Sequence, residues 1–218
     1  MKISLLSMLM VFAFACKKDK ASAVVGDAVE SVESATNTKG TSYAVIPEKS
    51  MVNWAGSKLT GTHTGTLKVS EGKVLMNNGK LTGGKFTIDM SSLTCTDLAA
   101  GDGKEKLEGH LKSGDFFDVA NHPDANFEIT KVTGLEGDAK ANSLVYGNLT
   151  IKGVSKQVGF KANVSSNGNS VSVSSPDFKI NRTDFGIKYG STSLADTVKD
   201  KAIDDQVTLS VVLGATKG

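Results

Sequence analysis

From Thr41 onward, apolar and polar residues alternate with a period of two, and this pattern leaves few folds open. Phe86 and Ile88 alternate with Lys85, Thr87 and Asp89, and Phe127 and Ile129 with Glu128 and Thr130. Leu149 and Ile151 alternate with Asn148, Thr150 and Lys152. Val158, Phe160 and Ala162, then Val171 and Val173, then Phe178 and Ile180, and finally Val207, Leu209, Val211 and Leu213 repeat it. Successive side chains of a strand point to opposite faces, so the pattern predicts half-buried antiparallel strands, each with one apolar and one wet side. Ser70-Glu71-Gly72-Lys73, Asn77-Asn78-Gly79-Lys80 and Asn167-Gly168-Asn169 read as short hairpin turns, which suggests an up-and-down order. Some seven to nine such strands must hide a single apolar face. Closing into a barrel does so and removes both edges; a two-layer sandwich is the alternative.

One segment breaks the alternation. Asp102 to Lys112 sets Leu107 and Leu111 four apart, on one helix face, with Glu105 and Glu108 outside. The helix is expected to stop at Gly114, after which Phe116 and Phe117 turn inward between Asp115 and Asp118. Leu194 and Val198 mark a weaker helical or looped stretch.

The N-terminus reads as targeting rather than fold. Lys2 precedes an uncharged, mostly apolar run from Ile3 to Ala15, too short to span a bilayer. Ala15 then precedes Cys16, which resembles a bacterial lipoprotein signal in which the cysteine is acylated and becomes the new N-terminus. Ala13 and Phe14 depart from that pattern, and an ordinary secretory peptide cut near this point is the alternative. Residues 1–15 are therefore expected to be a signal peptide. Residues 16–40 are expected to be a lipidated cysteine with a flexible tether, and 41–218 one domain. The tether has no aromatic residue and its charges cancel. Val25, Val29 and Val32 could line a weak helix there, but β-branched residues form helices poorly.

Cysteine usage fits export of this kind. Cys16 and Cys95 are the only two, so acylation of Cys16 leaves Cys95 without a partner. Cys95 reads as a small buried hydrophobe at a strand end. A formal net charge of +2 gives no basic excess for nucleic acid.

A set of ordered motifs resembles the YceI-like family of lipid- and polyisoprenoid-binding proteins. It runs from about Tyr43 to Leu213. It includes Ser50-Met51-Val52-Asn53-Trp54, His63-Thr64-Gly65, His110-Leu111-Lys112-Ser113 with Asp115-Phe116-Phe117-Asp118-Val119, and Gly147 through Val154. Asn181-Arg182-Thr183-Asp184-Phe185-Gly186-Ile187 is the closest match, and Pro47 and Lys49 depart from the pattern. The resemblance implies an all-β, elongated, lipocalin-like antiparallel barrel of about eight strands with one or two short capping helices. It further implies an apolar lumen holding a polyisoprenoid, a quinone-like chain or a fatty acyl compound, without catalysis and without a cofactor. The N-terminal signal sets the expected location in the bacterial envelope, facing the periplasm or the cell surface, and a homodimer is left open.

The candidate lumen residues are Trp54, Phe86, Ile88, Phe116, Phe117, Phe127, Ile129, Phe160, Phe178 and Ile180. Candidates for a head group at the mouth are His110, Arg182 and Asp184. Arg182 is the only arginine. Its planar fork suits a carboxylate or phosphate; the structural reading is a salt bridge to Asp184, Asp115 or Asp118. His63, His110 and His122 fit no compact ligand spacing, so no metal is expected. Ser113, His110 and Asp115 supply the residue types of a hydrolase, but three residues within six positions are poorly placed for a triad. A structural or stress-response envelope protein without a dedicated ligand is the other class kept open.

Overall fold

Each alternating segment forms a strand, and the strands close on themselves. The computed structural model describes residues 23–29, 40–194 and 202–218. Among them run β1 (Val24–Asp27), β2 (Thr41–Val45), β3 (Met51–Lys58), β4 (Gly61–Asn77), β5 (Lys80–Cys95), α1 (Lys104–Lys112) and β6 (Asp124–Gly134). There follow β7 (Ser143–Ile151), β8 (Val154–Ser166), β9 (Ser170–Ser174), β10 (Phe178–Asn181) and β11 (Gln206–Lys217). From β3 to β8 every strand pairs antiparallel with the next, the predicted up-and-down order. The last strand, β11, then pairs with β2, β3, β9 and β10.

The ring closes through two short strands. At one end β9 bridges β8 and β11. At the other, β1 pairs with β8 over Val24↔Gly159 to Asp27↔Lys156, and the Ala23 N–H donates to the Lys179 carbonyl of β10 at 3.0 Å. A stretch expected to be free tether thus contains a strand that fills the seam between β8 and β10. Cys16 and Val32 lie outside the described residues.

Two local expectations need correction. Ser70 to Lys73 is not a turn: β4 runs through it, with a bulge between Val69 and Glu71 opposite Ile88 and Thr87. Gly72 has φ +154°, and a Cβ there would meet the Lys85 carbonyl at 2.5 Å, so glycine lets the long strand bend around the barrel. The helix begins at Lys104 and is capped by Ser113 in an extended conformation; Gly114 is not its left-handed stop. The Phe117 and Val119 amides donate to the Leu111 and Lys112 carbonyls instead, folding the Phe pair back under the helix end. The Asn78-Gly79 turn does form, with both residues left-handed between β4 and β5. Leu194 sits in a bend, and Val198 lies outside the described residues.

Inner faces merge into one large cluster around Val69, Val74, Leu93, Ile129, Val145 and Leu213. A smaller cluster of Val158, Phe178, Ile180 and Phe185 lies beside the β1 seam, with Ala23 packed against it.

Candidate functional site

Inside the barrel the alternating side chains leave two apolar cavities, stacked along the strands. The main one is lined by Val52, Val69, Phe86, Ile88, Phe127, Ile129, Val145, Leu149, Phe160, Phe178, Leu209, Val211 and a few further aliphatic residues, with no polar side chain among them. Its free volume is about 90 Å³. Phe127, Leu149, Phe160, Leu209 and Val211 are only half-buried although they point inward, because each borders unfilled space. The second cavity, about 100 Å³, lies toward α1 and is lined by Trp54, Leu67, Leu93, Leu111, Phe116, Phe117, Ile187 and Val207 among others. The two are consecutive along the strands: Val69 lines the first and Leu67 the second on β4, as Leu209 and Val207 do on β11.

The ten lumen candidates therefore separate. Phe86, Ile88, Phe127, Ile129, Phe160 and Phe178 line the main cavity. Trp54, Phe116 and Phe117 line the end cavity. Ile180 is buried in the seam cluster with Phe185 and borders neither. Further aliphatic lining residues, such as Val52, Leu81 and Leu149, lie outside the ten candidates. The same period of two marks these residues.

Aromatic rings gain their room from glycines on neighbouring strands. The Trp54 indole lies over Gly65, its direct partner in the β3–β4 pair, and the Phe127 ring lies over Gly147. Trp54 Nε1 is buried with no hydrogen-bond partner in the described structure.

Arg182 borders the end cavity, together with Asp204, but presents no free donor to it. It is 5% exposed, and all five of its N–H groups are used inside the fold. Nε donates to the Asp204 carbonyl, Nη1 to the Ile187 and Tyr189 carbonyls, and Nη2 to the Ile203 carbonyl and to Asp205 Oδ1 at 3.3 Å. Its acidic partner is thus Asp205, not Asp184, Asp115 or Asp118, and no donor remains for a head group. Burial pushes the Asp205 carboxyl up, but hydrogen bonds from Ser193, Ser191 and Thr192 and the Arg182 charge outweigh it and hold it below its usual range. Asp184 is half-buried in the short 3-10 turn from Arg182 to Phe185 and near enough to Lys156 to stabilise its charge.

His110 lies on α1 and borders neither cavity. Its Nε2 is 3.0 Å from Asp115 Oδ2, and its ring packs edge-on against Phe116 and Tyr189. The Ser113 hydroxyl donates to the His110 main-chain carbonyl at 2.8 Å, so Ser113, His110 and Asp115 do not form a triad.

His63 has partners that its spacing did not reveal. Its Nδ1 is 2.9 Å from Asp97 Oδ2, and the buried Cys95 Sγ donates to Asp97 Oδ1 at 3.1 Å. The β4–β5 register sets Gly65 opposite Cys95 and so brings residues 63 and 97 together. The Thr64 N–H, donating at 2.7 Å, is the main cause that holds the Asp97 carboxyl far below its usual range. Burial, more than the Asp97 contact, pushes the Cys95 thiol up.

Comparison with known proteins agrees with this architecture. A YceI-like domain model matches residues 43–215. A UPF0312 protein of Pseudomonas putida is 31% identical over 153 residues, covering 67% of this chain and 76% of its own length. Among solved structures, Burkholderia cenocepacia BcnA superposes with a TM-score of 0.61 at 26% identity, over 79% of this chain and 99% of its own. A polyisoprenoid binding domain from Saccharophagus degradans, implicated in plant cell wall breakdown, superposes with a TM-score of 0.57 at 18% identity, over 83% of this chain and 100% of its own. That last likeness is one of fold.

Proposed function

The chain belongs to the YceI-like family, and on that footing we propose that its barrel binds a long apolar chain in the lumen without catalysing a reaction on it. The observation that carries this is the main cavity, which is walled entirely by apolar side chains. Water gains nothing in such a space, whereas each buried CH₂ of a ligand gains about 0.8 kcal/mol. A polyisoprenoid, a quinone-like chain or a fatty acyl compound has the required shape and polarity. The polyisoprenoid binding domain that shares this fold is consistent with this class. Anchoring through an acylated Cys16 would keep the barrel at a membrane surface in the bacterial envelope, where such amphiphiles reside, and the role would be carriage or storage.

The small free volume favours a second reading, a structural or stress-response envelope protein whose lumen is filled by its own side chains. Native mass spectrometry of the chain from Lys17 onward, produced in bacteria and followed by solvent extraction, separates the two. A mass excess that extracts as a lipid is expected, and the substitution Phe160→Asp should remove it. A bare mass, with no uptake of offered polyprenyl or fatty acyl compounds, would give the second reading the advantage.

A further inference from the structure

Where β4 begins and β5 ends, His63, Cys95 and Asp97 bring three different donor atoms together. One donor atom from each lies within 4.8 Å of the other two, the one such grouping of histidine, cysteine and acid among the described residues. His63 shares the inner face of β4 with Gly65 and Leu67, and Cys95 that of β5 with Leu93; Leu67 and Leu93 line the end cavity. The cluster therefore sits at the rim of the barrel beside that cavity. Cys95 is fully buried beneath, while the His63 and Asp97 side chains are 32% and 29% exposed.

We propose that His63, Cys95 and Asp97 form a binding site for a divalent metal ion of the zinc class. Zinc bonds of about 2.3 Å to sulfur and about 2.0–2.1 Å to nitrogen and oxygen, set tetrahedrally, place ligand atoms about 3.3–3.6 Å apart. The separations of 2.9 Å from His63 to Asp97 and 3.1 Å from Cys95 to Asp97 are a few tenths of an ångström shorter. They are the separations of atoms held together by protons. Asp97 accepts one from the imidazole and one from the thiol, and an ion takes the place of both. The thiol proton is released to solvent, and the imidazole hydrogen moves from Nδ1 to Nε2 by exchange with solvent, which frees Nδ1 for the ion. A thiolate and a carboxylate then neutralise the two positive charges. This donor set differs from a surface cluster of acids, since sulfur and imidazole nitrogen select borderline metals over calcium or magnesium.

The surroundings fix these ligands in place. The Thr64 N–H orients Asp97, while Glu108 of α1 accepts from the Cys95 N–H at 2.8 Å and from the Thr94 hydroxyl at 2.9 Å. Such outer contacts orient metal ligands in known sites. Three protein donors leave a tetrahedral ion one open position.

The test uses the full chain carrying Cys16→Ser, so that Cys95 is the only thiol, titrated with cobalt(II) in the absence of oxygen. One equivalent should produce tetrahedral cobalt bands and a near-ultraviolet thiolate-to-cobalt charge-transfer band, and zinc should displace them. Adding Cys95→Ser should abolish the charge-transfer band. Because Cys95 is fully buried, His63→Gln and Asp97→Asn, at half-exposed positions, provide variants that keep the fold. Each should weaken cobalt binding by about tenfold or more, with unchanged circular dichroism. No charge-transfer band at saturating cobalt, or one that both of these variants leave unchanged, would overturn the proposal and leave the cluster as a hydrogen-bonded clamp between strands.

Discussion

Phe160 of β8 and Phe178 of β10 stack face to face, with ring centroids 4.5 Å apart and planes 5° from parallel. Their strands share no hydrogen-bonded ladder among the described residues; β1 lies in the seam between them, paired with β8 and bonded to Lys179 of β10. The ring pair is thus the inner fastening of the place where the barrel is weakest in backbone bonds. Phe178→Ala should destabilise the chain by about 3–5 kcal/mol in urea unfolding. A double-mutant cycle with Phe160→Ala should give a coupling of about 0.5–1.5 kcal/mol. Additive effects would show that the stack does not fasten the seam.

The Trp54 ring occupies the space that any side chain at position 65 would need. Gly65→Ala would drive a methyl group into that ring and into the Thr94 carbonyl. Overpacking of this kind costs about 1–3 kcal/mol. Trp54 is the sole tryptophan, so its fluorescence reports the event directly. The emission should shift as the indole leaves the end cavity, while an unshifted spectrum would mean that the ring does not depend on the glycine.

Acid should attack the fold through Asp205. Its carboxyl is held below its usual value in the folded chain by the hydroxyls of Ser193, Ser191 and Thr192 and by Arg182, against the opposing effect of burial. The stabilisation is therefore complete above the unfolded value of about 3.9 and is lost as pH falls from there through the lower folded value. Asp205→Ala strands a buried guanidinium and should cost about 3–5 kcal/mol at neutral pH. The difference in unfolding free energy between wild type and variant should shrink as the pH drops below 4. A difference that stays constant with pH would assign the stabilisation to something other than this carboxylate.

The seam strand makes a prediction about exchange. If an apolar chain enters or leaves between β8 and β10, a chain starting at Gly40 should release a fluorescent fatty acyl probe several-fold faster than one starting at Lys17. The Asp27–Lys156 ion pair contributes little to that difference, since Asp27 is 95% exposed. Equal release rates would place the exit at an end of the barrel.

Period-two alternation was enough to predict half-buried antiparallel strands, because every inward residue repeats the same local rule, while closure into a barrel rather than a sandwich came from the family resemblance. The six main-cavity residues from Phe86 to Phe178 followed from that rule alone. What escaped was what depends on register between distant segments. Arg182 finds Asp205 rather than its near neighbour Asp184 because β10 pairs with β11. His63 finds Cys95 and Asp97 because β4 pairs with β5. Gly72 read as a turn because glycine beside serine and lysine does so locally, and only its pairing with Phe86, beyond the bulge opposite Ile88 and Thr87, shows that the strand continues. Val24–Asp27 carries no pattern of its own and becomes a strand only because β8 offers it an unpaired edge.

The twelve residues of β11 serve as ladder partners for β2, β3, β9 and β10, from Val45↔Ala215 near one end of the chain to Phe178↔Leu209 near the other. A ribosome makes them after all four of their partners. Until they emerge, four strands have an open edge, and pairs more than 150 residues apart in sequence have yet to meet. Such long-range closure is slow compared with local folding. The barrel therefore cannot lock until β11 has been made, and each of its four partner strands waits with its closing edge exposed.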